Sequence, residues 1–187
     1  MKKLLLFITV LFFGISTINA QDDATYGYAA GDWVLGGGVT FGSMDMGGVE
    51  TKMNTIAPQV GYFLNENSAL GLNLGLASTD VDGTKVSNTT FGLAYYNYFM
   101  DLGEKTKLWW AVGFGTSSGD SFPDAQTRLG SGIGMNYFMS ENIIVNFQLA
   151  NILQYVKQGD DSSMMFGWEG EIANMSATPT LSIFFKL

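Results

Sequence analysis

The sequence predicts an all-β fold: an eight-stranded, antiparallel, up-and-down transmembrane β-barrel preceded by a cleavable signal peptide. Three observations carry this prediction. Apolar residues recur with period two through most of the chain after residue 32. The segments between these runs alternate between short and long. Charged residues are only 14% of the chain, against a usual share of about 25%, and they avoid the middles of the runs.

The chain divides into a signal peptide over 1–20, a lead-in over 21–31 and the barrel over 32–187. Lys2 and Lys3 form a basic start, Leu4 to Ile15 an apolar stretch, and Ser16 to Ala20 a small-residue cleavage region. Cleavage is expected after Ala20. The apolar stretch is too short to span as a helix, which takes about 20 residues. Export without a single cysteine excludes a disulfide framework.

Each strand is read with one face to lipid and the other to the interior. The third strand is the clearest. Leu70, Leu72, Leu74 and Leu76 share one face, and Gly71, Asn73, Gly75 and Ala77 share the other. The first strand sets Trp33, Leu35, Val39 and Phe41 against Gly36, Gly38 and Thr40. The second sets Ile56, Val60, Tyr62 and Leu64 against Thr55, Gln59 and Gly61. The fourth sets Phe91, Leu93, Tyr95 and Phe99 against Thr90, Gly92, Ala94, Tyr96 and Tyr98.

The second half repeats the scheme. Leu108, Trp110, Val112 and Phe114 oppose Trp109, Ala111, Gly113 and Gly115. Leu129, Ile133, Met135 and Tyr137 oppose Arg128, Gly130, Gly132, Gly134 and Asn136. Ile143, Val145, Phe147 and Leu149 oppose Asn146, Gln148 and Ala150, and the final strand sets Leu181, Ile183, Phe185 and Leu187 against Ser182, Phe184 and Lys186.

Three connections are tight: Asn65 to Asn67, Asp101 to Glu104 and Ser140 to Asn142. Four are read as long loops: Gly42 to Lys52, Ser78 to Ser87, Thr116 to Gln126 and Val156 to Ala177. Short turns on one side and long loops on the other are the arrangement of outer-membrane barrels. All 17 acidic residues fall in termini, connections or strand ends. A charge at the bilayer midplane costs roughly 2–4 kcal/mol on a barrel's lipid face, so lipid selects this distribution. A soluble lipocalin-like barrel would need a charged outside, and neither face of these strands supplies one.

An internal repeat leads into the short turns: Gly61-Tyr62-Phe63-Leu64, Asn97-Tyr98-Phe99-Met100 and Asn136-Tyr137-Phe138-Met139. Its aromatics are expected to form a girdle at the inner membrane–water boundary. With the signal peptide and the C-terminal Leu181-Ser182-Ile183-Phe184-Phe185-Lys186-Leu187, these motifs carry a resemblance. The mature chain resembles the small outer-membrane β-barrel family, which includes OmpX-like and OmpW-like proteins and the OmpA transmembrane domain. The resemblance implies location in the bacterial outer membrane of a Gram-negative cell. It also implies contact with outer-membrane lipid and lipopolysaccharide, and insertion by the barrel-assembly machinery. The C-terminal segment ends in Leu187 where the family usually has Phe.

The candidate chemistry is sparse. Without His or Cys the chain has no Ser–His–Asp or Cys–His system and no imidazole or thiol metal ligand. Lipid-modifying enzymes of the resembling architecture rely on His, so that activity does not carry over. The acid pairs Asp160/Asp161 and Glu169/Glu171 read as solvated loop charges, and Asp80-Val81-Asp82-Gly83 as a turn rather than a calcium loop. No catalytic, cofactor or metal set is assigned. The acidic balance, net charge −8, disfavours nucleic acid.

Two candidate regions remain. Gln59, Asn73, Arg128, Asn136, Asn146 and Gln148 form an interior polar set, with Arg128 expected near the outer mouth. Met164, Met165, Phe166 and Trp168 form an apolar contact segment on the last long loop. The interior glycines are expected to make room for bulky neighbours. The expected function is non-enzymatic: a monomeric barrel with a structural or surface-interaction role through long extracellular loops. The alternative is a narrow channel or conduit for small or hydrophobic solutes.

Overall fold

The computed structural model describes residues 26–170 and 181–187. The expected signal peptide, the cleavage point after Ala20 and the start of the lead-in lie outside the described residues. So does part of the fourth predicted loop.

Among the described residues nine antiparallel strands follow in chain order: β1 (Trp33–Met46), β2 (Val49–Asn65), β3 (Ser68–Val81), β4 (Thr84–Asp101), β5 (Thr106–Gly119), β6 (Phe122–Phe138), β7 (Ile143–Gln158), β8 (Asp161–Gly170) and β9 (Leu181–Lys186). Consecutive strands pair from β1 to β8. The sheet closes at the end where β9 lies between β7 and β1. Ile183 to Lys186 pair with Gly37 to Val34, and Leu181 to Phe185 pair with Phe147 to Ile143.

The result is an eight-position barrel built from nine strands. Both β8 and β9 lie on β7 at different heights. β8 takes the stretch from Ala150 to Gln158 and β9 the stretch from Ile143 to Phe147. The eight positions are those the sequence predicts, and β8 and β9 both occupy the last one. The end carrying the short turns and the C-terminus is called inner below, and the opposite end outer.

The long loops are corrected by the structure. Strands run on through Gly42 to Lys52, Ser78 to Ser87 and Thr116 to Gln126, and close in two-residue turns at Gly47-Gly48, Asp82-Gly83 and Asp120-Ser121. The described part of the fourth segment does the same at Gly159-Asp160. Gly47 (φ 64°) and Gly48 (φ 86°) both take the left-handed region, as do Asp82 (φ 51°) and Gly83 (φ 83°). A pair of such residues suits a hairpin turn whose twist matches its strands. The polar residues flanking these turns read as loop because, beyond the membrane, both faces of a strand meet water and the apolar alternation disappears.

Strands of 14–18 residues exceed the ~9–11 that a bilayer requires. The excess forms a fringe of outer hairpins. The fringe is braced by hydrogen bonds: Ser87 N to Asp120 Oδ2 at 2.8 Å, Asn88 Nδ2 to Ser121 Oγ at 2.9 Å, and Asp82 N to the Glu50 carbonyl at 2.9 Å.

Alternation places the predicted lipid rows outward. Leu70, Leu72, Leu74 and Leu76 are each about two-fifths exposed, as are Phe91, Leu93, Val112 and Phe114. Inward, Phe63, Trp109, Phe138 and Ile144 are buried. Trp33 and Tyr62 meet on the outer surface at 4.9 Å between ring centroids, and Tyr95 and Trp110 at 5.8 Å. These pairs form the aromatic belt near the inner end.

Candidate functional site

The inner end of the barrel is closed by residues that precede β1. Tyr28 turns into the barrel and is buried. Its ring stacks on Phe63 at 3.8 Å and 15°, and packs against Tyr98 at 5.0 Å and Phe138 at 5.1 Å. These three partners are the inward members of the three Tyr-Phe repeats. Neighbouring residues of a strand point to opposite faces. Each repeat therefore supplies one aromatic to the outside and one to the interior: Tyr62 out and Phe63 in, Phe99 out and Tyr98 in, Tyr137 out and Phe138 in. The expected girdle is thus half girdle and half plug.

A backbone clamp holds the plug segment. Gly31 N donates to the Phe63 carbonyl, and Phe63 N donates to the Asp32 carbonyl, each at 2.9 Å. Lys186 Nζ donates to the Gly27 carbonyl at 3.0 Å and lies 3.8 Å from Asp32 Oδ2. Lys105 Nζ lies 4.8 Å from the centre of the Tyr26 ring, and a hydrogen bond with the Tyr26 hydroxyl raises the Lys105 ammonium above its ordinary value.

Above the plug sits a hydrogen-bonded knot centred on Asn136. Its Nδ2 donates to the hydroxyls of Tyr28 at 2.7 Å and Tyr98 at 3.1 Å. Its Oδ1 accepts from Trp109 Nε1 at 3.2 Å and Asn146 Nδ2 at 2.6 Å. An amide has two donors and two acceptor sites, and here all four are used. No buried side-chain polar atom among the described residues lacks a partner.

The six predicted interior residues therefore separate by height. Asn136 and Asn146 belong to the inner knot. Gln59 and Asn73 face each other across β2 and β3, and line a space of about 60 Å³ beside Tyr28, Tyr96 and Asn136. Gln148 donates to Asn151 Oδ1 at 2.6 Å further out. Arg128 is exposed at the outer mouth, where its Nε donates to Gln126 Oε1 at 2.6 Å. Gln59, Asn73, Asn136 and Asn146 all line the inner space, and Asn73, Gln148 and Arg128 line a wider one further out.

Outside the Tyr96–Trp109 layer the barrel widens into a space of about 330 Å³. Glycines explain the change in width. A Cβ on Gly71 would press on Tyr96, and one on Gly134 would collide with the Trp109 ring and the Phe147 carbonyl. Those glycines are filled by their neighbours, as expected from the sequence. A Cβ on Gly115 or Gly130 would press on a cross-strand carbonyl at 3.2 or 3.3 Å but meet no side chain, so no ring fills the space beside these positions.

No family profile and no curated protein matches the chain. Solved structures do. The N-terminal β-barrel domain of Pseudomonas aeruginosa OprF matches over 85% of this chain and 98% of that one, with a TM-score of 0.50 and 14% identity. The chain has the fold of the small outer-membrane β-barrels. OmpTdeltaL8, a loop L8 deletion mutant of a Vibrio cholerae outer membrane protein, covers 82% of this chain and 48% of that one, with a TM-score of 0.34 and 13% identity.

In an outer-membrane barrel the exposed apolar rows described above are the lipid contact. The apolar contact segment is corrected: Met164, Met165, Phe166 and Trp168 lie on strand β8, paired with β7, and not on a loop. Its serines and methionines gave no turn signal, and β7 offered a free edge to pair with. Met164 is 69% and Phe166 81% exposed. Asp80 Oδ1 accepts from Gly83 N at 2.9 Å, which is turn bonding within the hairpin tip. No group of three or more potential metal ligands occurs among the described residues.

The residues that sequence reasoning missed are Tyr26 and Tyr28. They lie in the lead-in before the first alternating run, so period two could not reach them. The available signal was compositional: Tyr26-Gly27-Tyr28 is an aromatic pair within a short polar lead-in.

Proposed function

We propose that this protein is a non-conducting barrel of the bacterial outer membrane, with a structural and surface-presenting role carried by its braced outer hairpins. The Tyr28 plug is the observation that supports this reading. A ring stacked at 3.8 Å on Phe63, with its hydroxyl bonded to Asn136, closes the inner end with satisfied polar groups. A small barrel of eight positions has an interior only wide enough for side chains to fill. The outer hairpins present Asp45, Glu50, Asp80, Asp82, Asp120 and Asp160 with only a few cations, a surface suited to repel anions. A non-catalytic role agrees with a sequence that has no His and no Cys. Lipid and lipopolysaccharide are the proposed surroundings, and the chain acts as a monomer inserted by the barrel-assembly machinery.

The test is single-channel recording of the pure full chain in planar bilayers. A silent barrel is expected. Discrete, solute-dependent conductance steps would overturn the reading in favour of the conduit. A specific observation favours that second reading: the 330 Å³ outer space meets the 60 Å³ inner one at Asn73, Ala94 and Tyr96. A path would then need only the plug segment to move.

A further inference from the structure

We propose that the outer half of the barrel is a blind cup that binds one neutral, hydroxyl-rich small molecule: a monosaccharide, or the terminal sugar of a surface glycan. The inference rests on the closed inner end proposed above. The cup is the space of about 330 Å³ outside the Tyr96–Trp109 layer, walled by residues of β3 to β7. That volume lies at the low end of ligand sites, which run from about 300 to 1,000 Å³, so it suits one ring and not a chain.

Its walls select the chemistry. Asn73, Gln148, Asn151 and Gln154 all line the space. An amide both donates and accepts hydrogen bonds, and so does a hydroxyl; each can therefore satisfy the other in more than one orientation. Gln148 and Asn151 are already oriented by their mutual bond at 2.6 Å. Among the described residues no side chain bonds to the amide of Asn73 or of Gln154. The floor is aromatic: Tyr96 and Trp109 meet edge to face at 5.3 Å and 74°. Trp109 is held by its indole bond to Asn136, so the floor is rigid. Amides on the walls and an apolar aromatic base match a sugar ring, which is polar at its rim and apolar on its C–H face.

Charge narrows the class further. Among the described residues no acidic side chain lines the cup and the cation Arg128 does, so a cation gains nothing from them. Arg128 lines the cup towards its mouth, with part of its guanidinium taken by Gln126. The outer hairpins carry the acids Asp80, Asp82, Asp120, Asp160 and Asp161, which disfavour the approach of an anion. A neutral ligand crosses this fringe without cost.

The test is a ¹H–¹⁵N NMR titration of the full chain, folded in a phosphocholine detergent that contains no sugar. The probes are glucose, galactose, mannose and N-acetylglucosamine, and in a separate arm the core oligosaccharide released from lipopolysaccharide. Saturable shifts are expected at the Trp109 indole and at the Gln148 and Gln154 side chains, with a dissociation constant of roughly millimolar order. Shifts with free monosaccharide assign a soluble sugar; shifts with the oligosaccharide alone assign a surface glycan. Gln154→Leu and Asn151→Leu each remove one amide from the wall of the cup. Each is expected to weaken binding about tenfold or more while the barrel keeps its heat-modifiable gel mobility. Absence of saturable shifts for every probe, or shifts that neither variant alters, would overturn the site and leave the closed end standing. Uptake of the same sugars into vesicles carrying the barrel would overturn the closed end and leave the site standing.

Discussion

Asn136 donates from Nδ2 to the Tyr28 hydroxyl at 2.7 Å, across a separation of 108 residues in the chain. This bond ties the segment before the first strand to the sixth strand. The same amide bonds Tyr98, Trp109 and Asn146. A single side chain therefore fixes the plug, the floor of the outer cup and the β7 wall. Inside a low-dielectric barrel such a network is valuable only when complete, because each unpaired member costs desolvation without return.

Substitution Asn136→Leu is predicted to be strongly destabilising. It leaves the Tyr28 and Tyr98 hydroxyls, the Trp109 indole and the Asn146 amide without their shared partner. An unsatisfied buried polar group costs about 1–3 kcal/mol, and some of these will find one another, so a loss of about 3–5 kcal/mol is expected. Urea unfolding of the barrel in lipid vesicles, followed by Trp fluorescence, measures it. A change under about 1 kcal/mol would show that the network rearranges freely.

Removing the plug is predicted to open the barrel. Tyr28→Ala deletes the ring between Phe63, Tyr98 and Phe138. Conductance steps absent from the parent are expected in planar bilayers, together with a stability loss of about 3–5 kcal/mol typical of a large aromatic truncated to Ala. Tyr28→Phe keeps the ring and loses only the hydroxyl bond; it is expected to stay silent and to lose about 1 kcal/mol. A silent Tyr28→Ala barrel would mean that the strands alone close the interior.

The barrel was legible in the sequence because lipid imposes a strict rule on each strand. Leu70 to Leu76 alternate with Gly71 to Ala77, and the structure exposes the first row and turns the second inward. The same rule failed where lipid stops acting. Around Met44 to Met53 both faces meet water, the alternation lost its meaning, and a paired hairpin read as a loop. The candidate site was half legible. Asn136 and Asn146 stood out as inward amides, but their function in the fold depends on Tyr28, which no periodicity marks. The glycine pattern showed small inward residues without showing which are filled, since that depends on whether Tyr96 or Trp109 leans into the gap.

Glycine substitutions are predicted to divide by height in the barrel. Gly134→Ala places a methyl against the Trp109 ring and the Phe147 carbonyl, so the β6–β7 pairing must shift. Overpacking of this kind costs about 1–3 kcal/mol, and a fall of that size in unfolding free energy is expected. Gly42→Ala meets only the flexible Met53 terminus at 3.8 Å and is expected to change stability by less than about 0.5 kcal/mol. Equal effects at the two sites would contradict the packing described for the Trp109 layer.

The lipid face itself is open to a direct test. Leu72 sits midway along the outward row of β3, between Val60 and Leu93 on its neighbours, and is 43% exposed. Leu72→Arg puts a guanidinium near the bilayer midplane, where it is predicted to cost about 2–4 kcal/mol. Met44 lies on the outer hairpin opposite Thr51, beyond the membrane, and is 52% exposed. Met44→Arg is predicted to cost no more than about 1 kcal/mol, because the same charge now meets water. The two residues are similarly exposed, so burial cannot explain a difference between them; only the surrounding medium can. Unfolding free energies of both variants in vesicles decide the point, and equal costs would remove lipid as the neighbour of Leu72.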